Sequence, residues 1–376
     1  MKKFKILTVL GTRPEIIRLS RIIYKFDKSF DHILVNTNQN FDYNLNKVFF
    51  KDLDIRKPDY NLKSAGSTSI QTISKVLIDI EKVILKEKPD AFFILGDTNS
   101  SYSLLVAKKY KIPTFHYEAG NRCYDMRVPE ELNRKLIDTI SDINLTYSDS
   151  AKNFLIKEGF PINRILKIGS PMKEVINFYK DKISSSKILQ KQGIKKNKYI
   201  LISFHREENL DCKNNLNNFI TLLKKLIKLY KLSIIISTHP RTRKKLNKFI
   251  KINKNNKNIL FLKPLSFSDY NNLQINSALV LSDSGTINEE TSILKFLSIN
   301  LRENTERHEA MEESITLMSS LDVNRILTQV NYLINNKEEN LNINEVKDYE
   351  HDNVSEKIVR TILSYTSYIN REVWKK

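Results

Sequence analysis

The stretch Lys5-Ile-Leu-Thr-Val-Leu-Gly-Thr-Arg-Pro-Glu-Ile-Ile-Arg-Leu-Ser-Arg-Ile-Ile-Tyr-Lys-Phe26 decides the fold. Lys5–Leu10 is a short apolar run of strand character. Gly11-Thr12-Arg13-Pro14-Glu15 breaks it, and Pro14 suits the first turn of a helix. Beyond the break, Ile16, Leu19, Ile23 and Phe26 recur at i, i+3, i+7 and i+10, which is one face of a helix. A strand feeding straight into a helix is the opening of a βαβ unit.

The same alternation runs along the chain. Strands are expected at residues 32–37, 91–95, 114–117 and 143–146, with helices at 70–85, 101–109 and 132–140. A polar, Lys- and Ser-rich pause covers 178–198. Strands then resume at 199–203, 232–237, 259–262, 278–281 and 297–301, around a helix at 216–230. This order predicts an α/β protein of two doubly wound Rossmann-like domains with parallel sheets. The domains are expected at residues 1–178 and 190–353, hinged near 175–195. A last helix at about 354–376 is expected to pack back on the first domain. Two such domains facing each other would form a cleft lined by strand C-termini, where open α/β sheets bind ligands. The Asn-, Lys- and Glu-rich residues 335–352 read as a loop or surface helix.

Composition narrows the function. The chain has 376 residues, 40% hydrophobic and 28% charged, which suits about two globular domains and excludes wholesale disorder. No apolar run approaches the roughly 18 residues of a membrane-spanning helix, so no membrane insertion is expected. The N-terminus lacks the long apolar core of a secretory signal. Cys123 and Cys212 are far apart and outside any CxxC, which excludes a disulfide scaffold and a cysteine zinc site and fits the cytoplasm. The net charge of +19 permits attraction to nucleic acid, anionic lipid or phosphorylated substrates. Much of it is Lys in a chain also rich in Asn and Ile, a trio that an AT-rich genome favours. No basic stripe carries the regularly spaced aromatics of single-strand binders, so nucleic acid is not the expected partner.

The residues able to do chemistry sit where strands are expected to end. Arg13 lies at the opening of the first helix, where a helix N-terminus can hold an anion, although a turn with a surface Arg fits the spacing equally well. Asp97 follows residues 91–95, and an N-cap role is open to it as well. Glu118 ends the strand at 114–117. Glu130 and Arg134 share a helix face, four residues apart. Carboxylates converging with Arg122 and Arg134 suit proton transfer on two faces of a sugar, or a structural ion-pair network. In the second half, His205-Arg206 and His239-Pro240-Arg241 follow strands. Asp283-Ser284-Gly285-Thr286 opens a helix whose free N–H groups and Ser284 can grip a diphosphate, with Glu290 farther along for ribose hydroxyls. Arg302 and Glu306-Arg307 follow the next strand. The pattern points to an anionic nucleotide. No HxxxH or EF-hand spacing calls for a metal, and there is no GxGxxG for a dinucleotide.

Taken in order, Gly11-Thr-Arg-Pro-Glu15, Gly96-Asp-Thr98, His116-Tyr-Glu-Ala-Gly120, Pro129-Glu-Glu-Leu-Asn-Arg134, His205-Arg-Glu207, Asp283-Ser-Gly285 and Glu306-Arg307 resemble the non-hydrolysing UDP-N-acetylglucosamine 2-epimerase family. The resemblance implies a GT-B-like fold, a UDP-sugar substrate, a homodimer and no cofactor. It implies elimination of UDP across C1–C2 to a glycal, then re-addition with a proton on the opposite face of C2. It places Asp97, Glu118, Glu130 and His205 as catalytic. It places Arg13, Arg18, Arg122, Arg134, His239, Tyr270, Ser284, Gly285, Glu290 and Arg307 as substrate-binding. Gly120-Asn-Arg-Cys-Tyr-Asp125, Arg127-Val-Pro-Glu-Glu131, Gly169-Ser-Pro-Met-Lys-Glu174 and Arg307-His-Glu-Ala-Met-Glu-Glu313 resemble one branch more narrowly. That branch converts UDP-2-acetamido-2,6-dideoxy-L-talose to UDP-N-acetyl-L-fucosamine for capsule and O-antigen synthesis. A sister activity on the N-acetyl-L-rhamnosamine and L-quinovosamine nucleotides shares these motifs; the parent interconversion of UDP-N-acetylglucosamine and UDP-N-acetylmannosamine, and sugar transfer by a GT-B glycosyltransferase, are the alternatives. Two departures stand out. Arg18 replaces the family's Lys in the first helix. Asn38-Gln39-Asn40 replaces the Gln-His pair of the allosteric site, which tells against activation by UDP-N-acetylglucosamine.

Overall fold

The computed structural model describes residues 3–39, 43–238, 240–253, 256, 258–343 and 345–376. The chain divides into two compact units, Met1–Phe178 with Asp348–Lys376, and Tyr179–Lys347.

The first unit is built on seven strands, β1 (Lys5–Leu10), β2 (Asp31–Asn36), β3 (Tyr60–Asn61), β4 (Ala91–Leu95), β5 (Thr114–Tyr117), β6 (Ile143–Thr146) and β7 (Ile165–Lys167). They pair in the order β3-β2-β1-β4-β5-β6-β7, all parallel. Both central strands are sealed: every residue of β4 is buried, and so are Ile6, Leu7, Thr8, Val9 and Leu10 of β1. Helices cover the faces, so these strands read as continuous apolar runs rather than alternating ones. The helix Arg13–Ser29 starts at a capping box, in which the Glu15 carboxylate accepts from the Thr12 N–H and Pro14 supplies the preset first turn. Its buried face places Phe26 edge-on to Phe93, with ring centroids 5.2 Å apart. The last helix, Val354–Glu372, packs on Arg13–Ser29 and adds a Lys25–Glu356 ion pair at 2.6 Å.

The second unit carries β8 (Tyr199–Ser203), β9 (Ser233–Ser237), β10 (Ile259–Leu262), β11 (Leu279–Ser282), β12 (Ser298–Asn300) and β13 (Leu317–Met318). Their order is β10-β9-β8-β11-β12-β13, again all parallel. The helix Lys213–Leu229 buries Phe219, Leu222, Leu223 and Leu226 against this sheet, and Phe219 stacks on Phe204 at 4.0 Å. Two parallel-sheet α/β domains are therefore what the chain forms.

Three features depart from the sequence reading. The polar pause holds two short helices, Lys180–Ser184 and Ile188–Gln192. Asn272 Nδ2 donates to the Ile183 carbonyl at 2.8 Å, so the pause is packed on the second unit. The chain re-enters the first unit at Asp348, ahead of the last helix. β3, β7 and β13 are two or three residues long, too short to carry a periodic signal. Among the described residues no helix is long and apolar enough to cross a membrane.

The re-entry is clamped. Ser170 N–H donates to the Asp348 carbonyl at 3.1 Å, and Lys167 Nζ lies 3.0 Å from Asp348 Oδ1. Tyr117 Oη donates to the Gly169 carbonyl at 2.6 Å. Gly169 has φ +99°, and the His351 ring occupies the space a Cβ would need. Gly169→Ala is expected to destabilise the first unit by more than about 1 kcal/mol, read as a lower urea midpoint; an unchanged midpoint would refute the clamp.

Candidate active site

The sheet orders bring the sequence-predicted residues together in two groups, one in each unit. In the first unit β1, β4 and β5 are adjacent, so Gly11, Gly96-Asp97 and Glu118 sit side by side at their C-terminal ends. The turns there are tight: Gly96 has φ +80° and Glu118 φ +73°. A non-glycine residue in that region is strained and is held only by firm surroundings. Arg18 holds it. Its Nη1 lies 2.6 and 2.7 Å from the two Glu118 carboxylate oxygens, and both side chains are buried. Removing one partner of such a pair strands a buried charge, at a cost of about 3–5 kcal/mol.

Asp97 is gripped from the helix Pro129–Ile140. Arg134 Nε donates to Asp97 Oδ2 at 2.6 Å, and Asn133 Nδ2 donates to the Asp97 carbonyl at 2.7 Å. Glu130 is half-buried in the first turn of the same helix, where the helix dipole favours a carboxylate. His116, buried, bridges Asp138 and the Gly96 carbonyl, each at 2.9 Å, and so buttresses the turn that carries Asp97. Arg13 is half-buried, its guanidinium 5.6 Å from the Phe49 ring centroid.

Arg122 was expected to bind substrate; its side chain has no exposure. Nη1 pairs with Asp138 at 2.7 Å, and Nε and Nη2 pair with Glu158 at 2.8 and 2.6 Å. A guanidinium enclosed by two carboxylates ties its loop to the helix Pro129–Ile140 and to Glu158.

In the second unit β8, β11 and β12 are adjacent, so His205, Asp283-Ser284-Gly285 and Arg302 follow neighbouring strands. Asp283 is fully buried and organises the group. It accepts from the backbone N–H of His205 at 3.0 Å and of Arg206 at 2.9 Å, and from Asn209 Nδ2 at 3.3 Å. Its Oδ1 lies 2.9 Å from His205 Nδ1. Burial would raise the Asp283 carboxyl, but the His205 charge and these N–H donors hold it below the usual range. His205 Nδ1 is thus turned to the carboxylate.

Ser284 Oγ lies 2.9 Å from Thr286 Oγ1 just before the helix Ile287–Leu294. A Cβ on Gly285 would meet Glu306 Oε1 at 2.9 Å, so the turn stays bare beside the Arg302–Glu306 pair. Glu290 is buried and accepts from Gln274 Nε2 at 2.6 Å. Arg307 is buried, its Nη2 3.7 Å from Glu289 Oε2. Tyr270 is half-buried on the helix Phe267–Ile275, against an apolar cluster that includes Leu262, Leu273 and Ile287. His239 lies outside the described residues. Among the described residues no three His, Cys, Asp or Glu side chains form a metal-binding group.

Sequence reasoning passed over Glu15, Glu131 and the His-orienting role of Asp283. Glu15 had a signal, because Thr12-x-x-Glu15 is a capping box. Its carboxylate accepts from the N–H of Gly11 at 2.5 Å and of Thr12 at 3.1 Å, and from Thr98 Oγ1 at 2.6 Å, linking the β1 and β4 turns. Burial pushes its carboxyl from 4.5 up to about 7, against the pull of hydrogen bonds from Thr98, Gly11 and Thr12. The folded state therefore keeps this proton to higher pH than the unfolded chain does. The stability tied to it is complete below about 4.5 and is lost as pH rises through about 7. Urea denaturation across that window should show wild type losing ground to Glu15→Gln as pH rises, then levelling; a difference that is flat with pH would refute the burial effect.

The family model described as UDP-N-acetylglucosamine 2-epimerase matches residues 24–363. A solved UDP-N-acetylglucosamine 2-epimerase from Rickettsia bellii is 46% identical, with a TM-score of 0.93 and full coverage of both chains. The Methanocaldococcus jannaschii UDP-GlcNAc 2-epimerase, solved in complex with UDP-GlcNAc and UDP, is 36% identical, with a TM-score of 0.89 over 96% of this chain and 100% of its own. A UDP-2,3-diacetamido-2,3-dideoxy-D-glucuronate 2-epimerase of Pseudomonas aeruginosa is 34% identical over 80% of this chain and 84% of its own. With carboxylates at one set of strand ends and an oriented histidine beside a bare helix-opening turn at the other, the chain belongs to the UDP-N-acetylglucosamine 2-epimerase family of isomerases.

Proposed function

We propose that this UDP-sugar 2-epimerase acts on a 6-deoxy-L-hexosamine, converting UDP-2-acetamido-2,6-dideoxy-L-talose to UDP-N-acetyl-L-fucosamine. The observation that carries the chemistry is the seating of Asp97 and Glu118 on adjacent strand ends, each locked to an arginine. The C2 hydrogen of such a sugar is not acidic, so it leaves together with the C1–oxygen bond. A carboxylate takes the C2 proton, the C1–C2 double bond forms, and UDP departs with the C1–O electron pair. In the return step UDP adds to C1 and a proton reaches C2 from the other face. Asp97, Glu118, Glu130 and His205 share the acid and base roles. Arg13, Ser284, Gly285, Glu290 and Arg307 hold UDP, where arginines and helix N–H groups suit a diphosphate.

The 6-deoxy-L assignment rests on the loop motifs around residues 120–131, 169–174 and 307–313, and on Asn38-Gln39 in place of the allosteric Gln-His pair. UDP-N-acetylglucosamine is the rival substrate, supported by the names of the similar solved enzymes. We place the enzyme in the cytoplasm, where the free thiols Cys123 and Cys212 would stay reduced. We assign it a homodimer, supported by Ile70, Ile78 and Leu85, exposed along one face of the helix Ser69–Glu87.

Both nucleotides are to be followed by NMR in heavy water. Inversion at C2 with deuterium uptake is expected from the talose nucleotide alone; reaction of the N-acetylglucosamine nucleotide alone would overturn the substrate assignment. Asp97→Asn, Glu118→Gln and Glu130→Gln should each lower turnover by at least about 10²-fold, and near-full activity in all three would sink the catalytic assignment. Ile78→Glu should convert a dimer to a monomer in analytical ultracentrifugation; an unchanged mass would remove that face from the interface.

A further inference from the structure

We propose that Glu131 is a positioning residue for the proton transfer assigned to Asp97, acting through Arg134. The inference rests on that assignment of Asp97 and extends it to a residue one step behind the chemistry. Glu131 sits in the first turn of the helix Pro129–Ile140, and its side chain has no exposure. Its carboxylate collects four donors: the N–H groups of Cys123 at 3.0 Å and Tyr124 at 3.2 Å, Cys123 Sγ at 3.3 Å, and Arg134 Nη1 at 3.0 Å. Arg134 then hands on the constraint, because its Nε lies 2.6 Å from Asp97 Oδ2.

The physical point is the planarity of guanidinium. Nη1 and Nε belong to one rigid fork, so fixing Nη1 on Glu131 aims Nε at Asp97. A flexible ammonium would give no such transfer of orientation. The neighbouring Asn133 performs the matching task on the backbone. Its Nδ2 donates to the Asp97 carbonyl at 2.7 Å, while its Oδ1 accepts from Tyr102 Oη at 2.8 Å. One helical turn therefore fixes both the carbonyl and the carboxylate of Asp97. Burial works against ionisation of Glu131, but the Cys123 and Tyr124 donors and the Arg134 charge hold its carboxyl below the usual range. Glu131 stays an anion, as the fork requires. Glu131 also anchors the 123–124 loop, and an anchoring role alone would leave Asp97 untouched.

The test uses the full chain and whichever UDP-sugar wild type epimerises. Glu131→Gln keeps the shape but offers one acceptor oxygen where two served four donors. Its kcat is expected to fall about 10²-fold, the cost of a small misplacement in a reacting group, with KM changed less than about twofold. The double variant Glu131→Gln/Arg134→Met should be no slower than Arg134→Met alone, because both changes break one chain of contacts. Wild-type kcat in Glu131→Gln, or losses that multiply in the double variant, would overturn the proposal. If Glu131→Gln does not fold, Arg134→Lys serves: the point charge cannot hold both carboxylates, so kcat should fall with KM retained, and unchanged kcat overturns the proposal. Asp97→Asn separates the two levels. If it is inactive while Glu131→Gln matches wild type, only the positioning role fails. If Asp97→Asn turns over normally, the assignment of Asp97 fails and takes the proposal with it.

Discussion

A carboxylate taken out of water stays charged only if donors or cations replace the water, and the first unit is arranged around that constraint. Glu118 meets Arg18, Asp97 meets Arg134, Glu131 meets Arg134 and two backbone N–H groups, and Asp138 meets Arg122 and His116. Break a link and a buried charge loses a partner, which costs more than the pair contributes when intact. The network therefore selects one conformation for the turns after β4 and β5, including the strained backbone of Glu118. Precise placement of Asp97 and Glu118 is a by-product of satisfying these charges.

The second unit solves a different problem with the same sheet topology. Parallel strands β8, β11 and β12 end together, and each is followed by a turn whose N–H groups need acceptors. Asp283 satisfies the turn after β8 from the turn after β11, and in doing so faces His205. Gly285 keeps the next turn bare because Glu306 and Arg302 already crowd the position a side chain would take. A bare turn that opens a helix is suited to a diphosphate.

Much of this was legible in the sequence. The continuous apolar run Ala91–Leu95 marked a buried parallel strand to the residue, because central strands of such sheets have no polar face to blur them. Two edge strands were not legible: Tyr60–Asn61 and Leu317–Met318 are too short to hold a pattern, and they exist because a neighbouring strand offers a free edge. The candidate residues were legible as a set, since strand-end motifs announce position. Their partners were less so. An arginine in a loop such as Arg122 carries no mark of the two carboxylates that enclose it, and Glu158 is 36 residues away. Glu131 was overshadowed by Glu130 for a related reason: adjacent residues on a helix point about 100° apart, and only packing says which turns inward.

Arg18 completes the division of labour. A guanidinium keeps its proton at any working pH, so Arg18 can neither remove the C2 hydrogen nor supply one. With Nη1 within 2.7 Å of both Glu118 oxygens, its part is to place that carboxylate and balance its charge. An ammonium at the same point would be able to exchange a proton when desolvated, and would hold the carboxylate less rigidly. Substituting Arg for Lys therefore removes one candidate from the acid–base set and stiffens another. The proton traffic proposed at C2 is left to Asp97, Glu118, Glu130 and His205.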